Sequence, residues 1–127
     1  MDSKPKRASG ISTILVVDDE EHIRKLYEKE LLEEGYLVKT ANSGEEALKI
    51  AQSQPPDLVI LDIKLQEQNG LEILGDLKKI NQHTPVILNS AYSTYKSDFQ
   101  SWLADAYLVK SPNLYELKKK IKELLSF

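Results

Sequence analysis

Two short, fully apolar runs that stop on acid constrain this chain more than anything else in it. Ile14-Leu15-Val16-Val17 ends at Asp18-Asp19-Glu20, and Leu58-Val59-Ile60-Leu61 ends at Asp62. Runs this short and this rich in β-branched residues read as strands buried on both faces, the kind found in parallel sheets. Open α/β sheets gather ligands outside the carboxyl ends of their strands. Three acids placed there on neighbouring strands repel one another unless a cation or a proton relieves them. An all-oxygen site of this kind suits a hard divalent ion, Mg²⁺ above all.

The rest of the chain supplies the alternation such a sheet needs. An amphipathic segment from about Glu20 to Glu34 puts Ile23, Leu26, Tyr27 and Leu31 on one face, and Gly35 offers a helix stop. Tyr36–Ala41 reads as the second strand. Ser43-Gly44-Glu45-Glu46 has capping-box spacing and opens a helix with Ala47, Leu48 and Ala51 inward, ended by Pro55-Pro56. After Leu58–Leu61 comes a loop through Gln66, Gln68, Asn69 and Gly70. A helix from about Leu71 to Ile80 follows, burying Leu74 and Leu77. Val86-Ile87-Leu88, ending at Asn89-Ser90, is the fourth strand. Ser93–Leu103 is a serine-rich helix with Phe99, Trp102 and Leu103 as its apolar set, and Ala106–Val109 is the fifth strand. The last helix takes Asn113 as its cap, with Glu116 three residues on, and carries the stripe Leu114, Leu117, Ile121, Leu124 and Leu125.

Five strands alternating with five helices over short connections imply an α/β fold, a five-stranded parallel sheet with right-handed crossovers and helices on both faces. The common five-strand solution has order 2-1-3-4-5, which makes the first and third strands neighbours. The acids then meet.

At 127 residues the chain has room for one domain and one core. A formal charge of −3 argues against direct nucleic-acid binding, and the absence of cysteine excludes disulfides, thiol catalysis and thiolate metal sites. His22 and His83 are too few for a histidine-rich zinc site and read as surface residues. No apolar stretch is long enough to cross a bilayer and no signal-peptide core is visible, so the expected location is cytoplasmic, with no membrane partner. Residues 1–12, with Lys4, Lys6 and Arg7 and no periodic apolar pattern, read as a disordered basic tail or an expression remnant, and 13–127 as the domain.

The strand ends contribute Asp18 and Asp19, Asp62, Ser90 and Lys110, in that order. With the segments ILVVDDE, LVILDI, NGLEIL, VILNSA and DAYLVKSP, they make the chain resemble, from Thr13 to Phe127, the receiver domain of the response regulators in two-component phosphorelays. Receivers are themselves examples of the flavodoxin-like (CheY-like) order 2-1-3-4-5, so that order belongs to the resemblance and is not a separate prediction. The resemblance implies Asp62 as phosphoacceptor and Mg²⁺ as cofactor. Asp19, Asp62 and the backbone carbonyl of Lys64 are its implied direct ligands, with Asp18 acting through coordinated water. Lys110 is implied to pair with Asp62 and then with the phosphoryl group. Ser90 is implied to donate its hydroxyl to a phosphoryl oxygen, and Tyr107 to turn inward as the switch aromatic when it does. Lys64 and Tyr92, two beyond Asp62 and two beyond Ser90, are implied to border the approach of water and tune the lifetime of an aspartyl phosphate. Phosphoryl transfer to a carboxylate needs such parts: a nucleophile, a metal that neutralises phosphate oxygens, and donors around the equatorial oxygens.

Singly, most of these residues have plainer explanations. An acid after a strand commonly caps the next helix, a serine there turns the chain, and a lysine there is a solvated cation. Tyr107 and Trp102 can simply pack, and Lys118-Lys119-Lys120 reads as a solvated helix face. Capping does not account for Asp62, which a non-helical loop follows, and the joint reading accounts for all five positions. Two rival classes fit less well. A Mg²⁺-dependent phosphohydrolase using an aspartyl nucleophile wants Asp-x-Asp after the first strand, where Asp18-Asp19-Glu20 stands. A flavodoxin-like binding module wants a Ser/Thr/Gly-rich phosphate loop, where these acids repel phosphate. The chain departs from the receiver pattern at Leu65-Gln66, where a proline is common, and at Lys110-Ser111-Pro112, where proline usually follows the lysine directly. Either Lys110–Ser111 is cis, at about 3 kcal/mol, or the loop runs differently and Pro112 opens the last helix.

The implied function is a phosphorylation-controlled signalling switch rather than an enzyme of metabolism, one that catalyses its own phosphorylation and dephosphorylation. A sensor histidine kinase or phosphotransfer protein is the expected donor. An effector domain or protein is the expected reader of the face made by the fourth helix, fifth strand and fifth helix, and a phosphorylation-dependent homodimer is a further expectation. The low apolar content of Ser93–Leu103 suits an element that moves. Crowding of like charges predicts that neutralising Asp18 or Asp19 stabilises the metal-free domain. The chain reads equally as a free-standing regulator or as the receiver of a longer one.

Overall fold

Alternate residues of the same strands fill two separate cores, and that alternation organises the fold. The computed structural model describes residues 10–65, 68–91 and 103–126. The elements are β1 (Thr13–Val17), α1 (Glu21–Glu33), β2 (Leu37–Ala41), α2 (Gly44–Ser53), β3 (Leu58–Asp62), β4 (Lys64–Leu65), β5 (Gln68–Asn69), α3 (Gly70–Ile80), β6 (Val86–Ser90), β7 (Ala106–Val109) and α4 (Tyr115–Leu125). The five long strands form one parallel sheet in the order β2-β1-β3-β6-β7. This is the expected 2-1-3-4-5 order once the short antiparallel pair β4-β5 is set aside.

Leu15, Val17, Val59, Leu61, Val86 and Leu88 pack on one side of the sheet with Ala47 and Ala51 of α2 and Leu71, Leu74 and Leu77 of α3. Ile14, Val16, Leu58, Ile60 and Ile87 pack on the other with Tyr27 and Leu31 of α1 and Leu117 and Ile121 of α4. Successive side chains point to opposite faces, so a strand covered on both sides must be apolar at every position. That is why β3 reads LVIL, buried throughout, before its terminal aspartate. Each Leu or Ile so buried contributes roughly 1.5–3 kcal/mol relative to exposure. A one-residue slip exchanges the two cores, so the register is firmly set.

Local signals fix the helix ends. Gly35 takes a φ of +98°, which an L side chain rarely adopts, and closes α1 in a Schellman motif. Its N–H returns to the Leu32 carbonyl at 3.0 Å, and that of Tyr36 to Leu31 at 3.2 Å. Ser43 caps α2 by accepting the Glu46 N–H at 3.2 Å, while Glu46 Oε1 accepts the N–H of Asn42 at 2.8 Å. The reciprocal bond thus lands one residue ahead of the cap.

Several expectations are revised. Leu26, expected inward, is 39% exposed at the margin of the α1 face. The stretch after β3, expected as a loop, carries the β4-β5 ribbon, with Lys64 opposite Asn69. At the last helix Asn113 Oδ1 accepts the Tyr115 N–H at 2.8 Å, a turn two residues long instead of a capping box with Glu116. Lys118 is not a freely solvated cation: it crosses from α4 to α1, 2.7 Å from Glu30 and 3.6 Å from Glu34. Lys110–Ser111 is trans, and Pro112 lies ahead of α4 without opening it. Four of the five predicted helices are seen. The fourth, Ser93–Leu103, falls almost wholly outside the described residues, together with Tyr92, Phe99 and Trp102.

Candidate functional site

Strand phase alone brings the chemistry to one corner. Asp18 follows β1, Asp62 ends β3, Asn89 and Ser90 end β6, and Lys110 follows β7. Because i and i+2 share a face, Asp18, Asp62, Asn89 and Lys110 continue the rows on the α1 and α4 side, whereas Ser90 continues the opposite row. Adjacent pairing of β1 with β3 and of β3 with β6 sets the lateral neighbours, with Asp62 directly opposite Asn89.

Lys110 closes the corner. Its Nζ lies 2.8 Å from Asp18 Oδ2, 3.1 Å from Asp62 Oδ2 and 3.8 Å from Glu20 Oε1. The Lys110 N–H donates to the Ser90 carbonyl at 2.7 Å, tying the loop after β7 to the end of β6. Asp18 is held on all sides: its Oδ1 accepts the Glu20 N–H at 2.9 Å, its N–H donates to the Ala41 carbonyl at 3.1 Å, and its carbonyl accepts Arg24 Nη1 at 2.7 Å. Asp62 Oδ1 accepts the Lys64 N–H at 3.2 Å. One carboxylate oxygen each from Asp18, Asp19 and Asp62 lies within 4.8 Å of the others.

Burial and charge pull the titrations apart. Asp62 is pushed up to about 6, first by burial and then by the Asp18 charge, with Lys110 and the Lys64 N–H opposing. Burial by itself lowers Lys110, but bonding to Asp18 and the charges of Asp62 and Asp18 outweigh it, so the ammonium is held above its ordinary value. The lysine therefore stays charged, and it is what allows two carboxylates to coexist in a corner almost closed to water.

Five features escaped the sequence reading. Asn89 Nδ2 donates to Tyr27 Oη at 2.6 Å, a buried bond between β6 and α1 beneath the acids. Burial, the largest influence, pushes the Tyr27 phenol up, so it remains a neutral hydroxyl. A cavity of about 310 Å³ opens beside this pair, lined by Leu108, Ser111, Asn113 and Leu114 among others. Arg24 reaches back to the acid loop, and Glu20 comes within reach of Lys110. Gly70 packs against the backbone at the end of β3: a Cβ there runs into the Asp62 carbonyl oxygen and stands 2.7 Å from Ile63 Cα. Only Asn89 left a trace in sequence, as an amide inside an otherwise apolar strand. The predicted residues themselves sit as follows: Asp18, Asp19, Asp62 and Lys110 converge, Ser90 is 1% exposed at the edge of the cluster, and Tyr107 packs half-buried against the α2 and α3 core. Lys64 is exposed and is joined to Asp62 through its N–H, and Tyr92 lies outside the described residues.

A doubly wound five-stranded sheet with acids after its first and third strands and a lysine after its fifth defines the receiver class. Residues 14–122 match the response regulator receiver domain family, and the chain belongs to that family. It is 53% identical to the response regulator protein TrrA of Thermotoga maritima, whose crystal structure in complex with Mg²⁺-BeF superposes with a TM-score of 0.88 over 91% of this chain and 100% of that one. TrrA has also been solved in complex with the histidine kinase ThkA, with a TM-score of 0.86 to this chain and the same identity and coverage, 53%, 91% and 100%. Among curated relatives, the alkaline phosphatase synthesis transcriptional regulatory protein PhoP of Bacillus subtilis is 37% identical over 117 residues, 88% of this chain and 48% of that protein. The response regulator ArlR of Staphylococcus epidermidis is 38% identical over 117 residues, 91% of this chain and 53% of that protein. The chain thus spans about half the length of these curated relatives. It is a receiver domain of two-component response regulators. No helix among the described residues is long and apolar enough to cross a membrane.

Proposed function

We propose that Asp62 accepts a phosphoryl group, and that the observation carrying this assignment is Lys110 Nζ lying 3.1 Å from its carboxylate in a corner where two further acids converge. One Asp62 oxygen attacks phosphorus as the bond from phosphorus to the donor's nitrogen or oxygen breaks, and the donor departs with that electron pair. Lys110 then turns from the carboxylate to the transferred oxygens. Ser90, at the end of β6, supplies a hydroxyl to another oxygen, and Tyr107 moves inward behind it. Later loss of the group to water is catalysed by the same corner, which makes the domain a self-timed switch. By the family resemblance, side-chain volume at positions 64 and 92 slows that loss.

The donor set fits Mg²⁺. One carboxylate oxygen each from Asp18, Asp19 and Asp62 lies within 4.8 Å of the others, an all-oxygen donor set of the kind a hard divalent cation takes. Asp19 and Asp62, with the Lys64 carbonyl, would hold it directly, and Asp18 would act through water. When bound, Mg²⁺ neutralises phosphoryl oxygens as charge builds on them. Lys110, which now relieves the acids, is the group that yields.

A histidine kinase or phosphotransfer protein is the donor, by analogy with TrrA, which is solved with the kinase ThkA. The output is read by an effector domain or protein, since relatives of about twice the length are transcriptional regulators. The face made by β7 and α4 serves it, or a phosphorylated homodimer, in the cytoplasm. The test is incubation with acetyl phosphate and Mg²⁺ followed by intact-mass measurement. One phosphoryl group should appear, depend on Mg²⁺ and vanish in Asp62→Asn; full labelling of that variant refutes the assignment.

A further inference from the structure

Arg24 stands on the wrong end of its helix. It is one turn into α1, near the positive pole of the dipole, where a cation is unfavourable and an acid is the usual choice. What it gains there, among the described residues, is one bond: Nη1 donates to the Asp18 carbonyl at 2.7 Å. That carbonyl belongs to the peptide joining Asp18 to Asp19, and fixing its plane fixes the Asp19 N and Cα, leaving a single backbone torsion to set the direction of its Cβ.

Asp19 needs this help more than its neighbours. Asp18 is clamped through its carboxylate by the Glu20 N–H and Lys110, and Asp62 by the Lys64 N–H and Lys110. The Asp19 carboxylate has no hydrogen bond or ion pair among the described residues. Its aim is therefore set by backbone, and Arg24 holds that backbone from one side while the Asp18 N–H, bonded to Ala41 at 3.1 Å, holds it from the other. We propose that Arg24 is a positioning residue that aims Asp19 at the divalent cation by clamping the Asp18–Asp19 peptide. This rests on the Mg²⁺ reading given above.

The charge of Arg24 and its hydrogen bond act on Mg²⁺ with opposite signs, which makes the idea easy to refute. A guanidinium beside the acids repels the ion, so removing the charge alone tightens binding. Removing the clamp weakens it, because Asp19 must then be ordered as the ion arrives. The experiment is an amide chemical-shift titration of the full chain with Mg²⁺, using Arg24→Met and Arg24→Lys, with thermal unfolding of each metal-free variant. Arg24→Met should bind Mg²⁺ about tenfold more weakly, the low end for residues that orient a metal ligand. Equal or tighter binding overturns the proposal. Should Arg24→Met fail to fold, Arg24→Lys decides: it keeps the charge but not the planar fork, so weaker binding supports the clamp and unchanged binding defeats it. In acetyl phosphate labelling the half-saturating Mg²⁺ should rise while the rate at saturating Mg²⁺ returns to within about twofold of the parent. A deficit that persists at saturation contradicts a role confined to aiming Asp19. Asp19→Asn separates the two failures. If it does not weaken Mg²⁺ binding, or the parent binds none, the metal site itself is misassigned; if it does, and Arg24→Met binds like the parent, only the role of Arg24 falls.

Discussion

Lys110 and Asp18 form the tightest ion pair of the acidic corner, Nζ to Oδ2 at 2.8 Å, with the lysine side chain 16% and the aspartate 3% exposed. Asp18 is therefore not a surplus negative charge in the metal-free domain but one of the carboxylates that keep a buried ammonium satisfied. Removing one partner of a buried pair is strongly destabilising, though here Asp62 remains for Lys110. Asp18→Ala should lower metal-free stability by about 2–3 kcal/mol, whereas Asp19→Asn, which sheds charge without a bonded partner, should leave it unchanged or raise it. Urea denaturation in chelator checks both. Equal stabilisation by the two substitutions would mean that repulsion, not pairing, governs Asp18.

The raised Asp62 gives the metal-free domain a pH dependence of definite sign. Its carboxyl titrates near 6 in the folded state against 3.8 ordinarily, so between these values the native state holds a proton the unfolded chain has released. Stability from this group is full at low pH and falls as pH rises through that window, by about 3 kcal/mol at most, at about 1.4 kcal/mol per pH unit. Asp62→Asn should remove the decline, so that its advantage over the parent grows from about pH 4 to about pH 7. A difference that stays constant with pH would show that Asp62 ionises normally.

Gly70 has no room for a methyl group. A Cβ there meets the Asp62 carbonyl oxygen and the Ile63 backbone, neither of which can swing aside as a side chain can. Gly70→Ala should cost about 2–3 kcal/mol by overpacking. It should also slow labelling of Asp62 with acetyl phosphate at temperatures where the variant is folded. Gly75, on the same helix with nothing near its absent Cβ, is the control, and Gly75→Ala should stabilise by about 0.5–1 kcal/mol.

The Tyr27–Asn89 bond is buried at both ends, so breaking it from either side strands a polar group. Tyr27→Phe and Asn89→Leu should each destabilise by about 1–3 kcal/mol, and the double variant by less than the sum, since it leaves nothing unsatisfied. Thermal unfolding of the four proteins measures the coupling. Additive losses would show that the 2.6 Å contact contributes nothing of its own.

Lifetime of the aspartyl phosphate tests Lys64 and Tyr92. Water must approach phosphorus in line, and on the reading proposed above the volume of the side chains at positions 64 and 92 slows it. Lys64→Ala with Tyr92→Ala should therefore lose phosphate faster than the parent once donor is removed, followed by intact mass over time. Slower loss would mean that the Lys64 ammonium had been assisting the departing charge instead.

The sequence by itself determined the strands, the two-sided burial and the acids at the sheet edge. These are one-dimensional signals: a strand covered on both faces must be apolar at every position, and a charge marks where the cover ends, as at Asp18 and Asp62. Helix stops were legible for the same reason, since Gly35 and Ser43 act on their own neighbours. The tertiary structure alone decided which charges pair and what supports them. Lys110 reaching Asp18 as closely as Asp62, Asn89 bonding Tyr27 across 62 positions, and Gly70 lying against the Asp62 backbone depend on separations between whole elements. Those separations are set by how α1, α3 and the loop after β7 pack on the sheet, and packing is a sum over many distant side chains that no local spacing encodes.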